Sequence, residues 1–87
     1  MPNSNNRGKN LYETLNSYGT IELRLKSLLE EKGISKTMLS KQTMLKYDVV
    51  KRYCDDTTSR FDRDVLIKIC YCLDCDISDI LVYKKSE

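Results

Sequence analysis

Lys46, Lys51 and Arg52 stand around a polar, aromatic tip, Tyr47-Asp48, inside the run Ser35 to Cys54, SKTMLSKQTMLKYDVVKRYC. Ammonium and guanidinium groups clustered this way do recognition chemistry. They donate hydrogen bonds and bring positive charge to oxygen acceptors, and phosphates and base edges supply both. The run reads as two short amphipathic segments joined by a tight turn. Two helices at a fixed angle, the second presenting basic and hydrogen-bonding side chains, suit the major groove of double-stranded DNA. A small sequence-specific DNA-binding domain is the expectation.

Charge distribution agrees with that reading. Residues 34 to 60 hold six Lys or Arg against three Asp, a net +3, whereas residues 61 to 87 hold four basic against six acidic residues, a net −2. Positive charge thus gathers around the candidate reading segment, as a footprint on phosphate requires, although an unevenly charged solvated surface would give the same count. Catalysis lacks its parts. With no histidine and three scattered glycines there is no Ser-His or Cys-His pair, no HExxH and no glycine-rich phosphate loop. Asp55 and Asp56 are read as loop carboxylates without a partner acid. The expectation is a non-enzyme with no cofactor, no metal and no small-molecule ligand.

Four cysteines, Cys54, Cys70, Cys72 and Cys75, invite a metal or disulfide reading. Tetrahedral zinc needs four converging ligands, and a helical C-x-C-x-x-C run points Cys72 away from Cys70. Packing as small buried hydrophobes is the expected role, with zinc and redox sensing as the alternatives. No apolar run reaches the roughly 18 residues a bilayer span needs, and MPNSNNRGKN has no apolar core. No membrane association and a cytoplasmic location are expected.

The elements that must position the basic tip follow from periodicity. Residues 1–19 are read as a polar tail, with a short extra helix carried by Leu11, Leu15 and Tyr18, and with Arg7 and Lys9 as a candidate basic arm. From Thr20, a plausible N-cap, Ile21, Leu25, Leu28 and Leu29 form one apolar stripe, ended by Gly33. Ser35 caps a second helix to about Thr43 with Leu39 inward. A third runs from about Tyr47 to Tyr53, burying Val50 and Tyr53. Asp62 caps a fourth with Leu66, Ile69, Cys70 and Leu73 inward. Asp76 or Ser78 opens a short fifth, with Ile77, Ile80 and Leu81 inward. No convincing strand is predicted. The expected fold is all-α, a compact five-helix domain over residues 20–83 with a C-terminal tail at 84–87.

Residues 21 to 82 resemble the lambda-repressor-like, Cro-type helix-turn-helix domain of bacterial and phage regulators, the XRE family. The resemblance rests on Gly33-Ile34-Ser35, Leu39, Leu45, Val50 and Tyr53. It continues through Val65-Leu66-x-Lys68-Ile69-Cys70-x-Cys72-Leu73-x-Cys75 and the closing Ile77-Ser78-Asp79-Ile80-Leu81. It implies that helix two crosses the DNA backbone, with Lys36 and Thr37 touching phosphate near its N-terminus. Helix three would then enter the major groove, with Lys46, Tyr47, Asp48, Lys51 and Arg52 at base-reading positions. An arginine can hold O6 and N7 of guanine bidentately, which makes Arg52 the leading base reader. Tyr47 would stack on a sugar or touch a thymine methyl, or pack on Phe61 instead. Asp48 would accept from cytosine N4, or complement the helix dipole. Lys41, Lys51, Thr57, Thr58 and Arg60 fit phosphate contacts. Two departures concern geometry. Met44 occupies the turn slot that usually carries glycine, where φ is positive, and Lys46 replaces the capping serine before helix three.

A transcriptional repressor acting as a homodimer on a palindromic operator is the implied function, its half-sites roughly 34 Å apart. The dimer seam is placed at Ile80, Val82 and Tyr83. The alternative is a protein-binding adaptor, antitoxin-like or anti-repressor, that keeps the fold without reading DNA.

Overall fold

Leu25, Leu28 and Leu29 fall on one side of a helix, and the chain obeys that spacing: helix α1 runs Leu25–Lys32 and ends at Gly33, whose φ of 68° is left-handed. The computed structural model describes residues 18–86. Three further helices follow, α2 (Lys36–Thr43), α3 (Tyr47–Asp55) and α4 (Arg63–Leu73). The rest of the expected extra helix, at Leu11 and Leu15, and the basic arm lie outside the described residues. Tyr18 sits in a turn.

Two expectations are corrected. Thr20 does not cap a helix, because Thr20–Leu23 is a strand, β1, paired antiparallel with β2 (Leu81–Lys84) in the register Ile21↔Tyr83 and Leu23↔Leu81. The expected fifth helix is a single 3-10 turn at Ile77–Asp79, braced by the Asp76 N–H donating to the Asp79 carboxylate at 2.9 Å. The described chain is therefore four α-helices and a two-stranded sheet, mostly helical but not a five-helix bundle. Ile21 and Ile77, both expected inside, are 48% and 46% exposed.

The physical reason is closure. The Arg24 N–H donates to the Ile80 carbonyl at 2.7 Å, so the start of α1 and the end of the 3-10 turn are stitched together where β1 meets β2. Gly19 belongs to the same seam. With φ at 96° its missing Cβ leaves room for the Lys84 carbonyl and the Tyr83 ring.

One core holds these pieces together. Leu23, Leu25, Leu29, Leu39, Val50, Tyr53, Cys54, Val65, Ile69, Leu73 and Ile80 are buried in a single cluster. Each fully buried aliphatic side chain in it contributes roughly 2 kcal/mol of transfer free energy. α3 packs against α1 and α2, while α4 packs against α2. That arrangement fixes α3 by its inner face and leaves its outer face to solvent.

Candidate nucleic-acid interface

The angle between α2 and α3 is set by hydroxyls. Ser35, extended at φ −83° and ψ 161°, accepts from the Met38 N–H at 3.0 Å and starts α2. At the other end the Thr43 hydroxyl donates to the Leu39 carbonyl at 2.7 Å and itself accepts from the Leu45 N–H at 3.3 Å. Ser40 closes the turn by donating to the Leu45 carbonyl at 2.6 Å. Between them Met44 adopts φ 63° and ψ 21°, the left-handed conformation the turn requires. Lys46 at the start of α3 makes no side-chain cap, as its ammonium cannot accept. Asp48 instead lies in the first turn, where a carboxylate complements the helix dipole.

α3 is anchored along the C-terminal half of its inner face. Val50, Tyr53 and Cys54 are buried. The Tyr53 hydroxyl accepts from the Asp62 N–H at 2.8 Å, joining α3 to the cap of α4. Asp62 in turn accepts from the Asp64 and Val65 amides. Phe61 stacks at a tilt on Tyr53 with centroids 6.2 Å apart. Asp56, left-handed at φ 58°, caps α3 and accepts from the Leu23 N–H at 3.3 Å, tying the helix to β1. Asp55 and Asp56, expected in a loop, are the last residue of α3 and its cap.

With its inner face fixed, α3 turns Lys46, Tyr47, Asp48, Lys51 and Arg52 outward, and all five are exposed. No carboxylate among the described residues pairs with Arg52 or Lys46. Lys51 differs, because its ammonium donates to Asp55 at 2.7 Å, and Asp55 also lies 3.9 Å from the Lys36 ammonium of α2. That hydrogen bond holds the Lys51 ammonium above its ordinary value and the Asp55 carboxyl below its own. Lys26 of α1 adds its field to the same carboxylate. Sequence reasoning did not include Lys26, since nothing in its spacing brings it beside α3.

The remaining phosphate candidates are less uniform. Thr37, Lys41 and Arg60 are exposed. The Thr57 hydroxyl donates to the Arg52 carbonyl at 3.5 Å, and the half-buried Thr58 hydroxyl donates to the Arg60 carbonyl at 2.7 Å. Each would have to release an internal acceptor before donating to phosphate.

Ile80 is fully buried, so this member of the expected dimer seam belongs to the core and is withdrawn. Val82 is half-buried and Tyr83 is 57% exposed. Among the cysteines, Cys54 is buried and the others half-buried against the core. Cys70 and Cys75 meet across the end of α4, and burial with Cys70 alongside pushes the Cys75 thiol up to about 11. Among the described residues no three His, Cys, Asp or Glu side chains converge in a way that could hold a metal ion, and no helix is long and apolar enough to cross a membrane. On the far side of α4, Phe61, Leu66, Ile67, Cys70 and Ile77 line an open apolar groove. Ile67 and Tyr71 stand 57% and 86% exposed on that helix.

Comparison with known proteins adds one finding. The family model for the Cro/C1-type helix-turn-helix DNA-binding domain matches residues 24–86. No curated protein and no solved structure gives a match.

Proposed function

Because this chain belongs to the Cro/C1-type helix-turn-helix DNA-binding domain family, whose members are DNA-binding regulators and typically not enzymes, we propose that it reads double-stranded DNA sequence-specifically with α3 and acts as a bacterial or phage repressor. The observation carrying this is the division of α3 into a buried face, Val50, Tyr53 and Cys54, and an exposed edge, Lys46 to Arg52. Arg52 is the guanine reader in this proposal, with Lys46, Tyr47, Asp48 and Lys51 beside it. Thr37, Lys41 and Arg60 set register on phosphates, joined by Lys36, by Lys51 at the margin of the base-reading edge, and by Thr57 and Thr58 once they give up their internal bonds.

Binding as a homodimer to a palindromic operator is part of the proposal. Ile80 being core, the seam narrows to Val82 and Tyr83, to which the cross-strand neighbour Ile21 adds exposed apolar surface. Selection of bound sequences from a random duplex pool tests the reading. The expected result is an enriched two-fold symmetric motif, and an unenriched pool would refute it.

A protein-binding adaptor is the second reading, favoured by the exposed Ile67 and Tyr71 of α4. A salt titration separates the two: DNA recognition requires affinity to fall steeply with salt, and an adaptor would not be retained on duplex at all.

A further inference from the structure

We infer that Asp55 is an internal counter-ion that sets how many lysines this protein offers to the DNA backbone. This rests on the DNA-binding reading and names a positioning residue for it. The carboxylate sits where three helices meet. Its Oδ2 accepts from the Lys51 ammonium at 2.7 Å, one turn earlier on α3. Its Oδ1 is 3.9 Å from the ammonium of Lys36, the first residue of α2. Lys26 approaches from α1.

A cradle of ammonium groups that holds a carboxylate oxygen is equally suited to a phosphate oxygen, which is also an anionic acceptor. The cradle is open to water, with the Asp55 and Lys36 side chains about 30% exposed and Lys51 more so. Lys36 and Lys51 both lie at the elements expected to meet the duplex. In the free protein Asp55 hydrogen-bonds Lys51, stands within ion-pair distance of Lys36, and cancels one of their two charges. Exposed pairs of this kind are weak, so a phosphate can draw the lysines away, but the carboxylate stays close and offsets part of the gain. Its neighbour does a different job, since Asp56 accepts from the Leu23 backbone.

Removing the Asp55 charge should therefore add the equivalent of about one phosphate neutralised. The slope of log affinity against log salt would steepen by about 0.9, and affinity near 0.1 M salt would rise on the order of eightfold. A purely structural role would leave the slope untouched.

The experiment is a fluorescence anisotropy titration of a mixed-sequence duplex of about thirty base pairs across roughly 50 to 300 mM KCl. Wild type is compared with Asp55→Asn, Asp55→Ala and Asp74→Asn, the last removing the same charge at the cap of α4, where asparagine also accepts the left-handed backbone. Both Asp55 variants should steepen the slope, and Asp74→Asn should not. With Lys36→Met and Lys51→Met already in place, Asp55→Asn should add nothing. Equal slopes for wild type and both Asp55 variants, all of them bound, would overturn the Asp55 role while leaving DNA binding intact. A steeper slope in Asp74→Asn of the same size would overturn it too, as an effect of overall charge. If no variant is retained on the duplex at the lowest salt, the DNA-binding reading falls and this inference with it.

Discussion

Met44→Gly should stabilise the protein, although glycine usually weakens a fold. Met44 sits at φ 63° and ψ 21°, where the Cβ of an ordinary residue crowds its own backbone. That conformation costs about 1–2 kcal/mol for a residue with a Cβ. Against this stands the larger entropy that glycine gives the unfolded chain, about 0.4–1 kcal/mol. Packing hardly enters, because the side chain is 86% exposed. The net gain lies between about 0 and 1.6 kcal/mol and centres near 0.8 kcal/mol, roughly 3–6 °C in Tm for a domain of this size. Gly33→Ala is the mirror experiment. Gly33 has φ 68°, and an added Cβ would meet nothing within 4 Å, so its loss should be the strain less the same entropy difference, with no clash added, and of similar size. Thermal melts followed by far-ultraviolet circular dichroism would read both. A Met44→Gly protein that melts at or below wild type, beside a Gly33→Ala protein that melts above it, would refute the strain argument.

Arg52→Ala should leave the Tm within about 2 °C of wild type, since the side chain is exposed, yet lose about 1–3 kcal/mol of discrimination at one base pair of the selected site; unchanged preference in the selection would remove Arg52 from base reading. Tyr53→Phe deletes the acceptor for the Asp62 N–H at 2.8 Å and should cost about 1–2 kcal/mol, seen as a lower midpoint in urea with an unchanged slope. Cys75 gives a pH signature. Burial beside Cys70 raises its folded value to about 11 from 9.0, so the fold holds this proton more tightly than the unfolded chain does. The resulting stability is complete below about pH 9 and drains away as pH rises through 11, so the Tm gap between wild type and Cys75→Ala should narrow over that window. A gap that is flat from pH 8 to 11 would contradict it.

Local signals were well expressed in this chain. Ser35 and Asp62 cap the helices their side chains suit, and Gly33 terminates α1. The left-handed turn expected at Met44 is present, because the family pattern demands that backbone whatever residue stands there. Non-local pairing was not legible. β1 and β2 are four residues each, too short to show period two, and Ile21 carries the spacing of the α1 stripe while pairing with Tyr83 some sixty residues away. Ile80 is read both as inward and as part of a seam, because a short apolar tail looks the same whether it closes a core or offers a surface; its full burial settles it as core. At the site, the residue types of the α3 edge were visible from their positions on the helix. Asp55 bridging Lys51 and Lys36 was not, since one of those partners comes from a different helix.

Amide chemical-shift mapping of the labelled protein against its selected duplex tests the central claim most directly. Large shifts should centre on Lys46–Arg52 and the first turn of α2, with α4 quiet around Ile67 and Tyr71. Shifts gathered on the α4 groove, or none at all while the duplex is bound, would contradict recognition through α3.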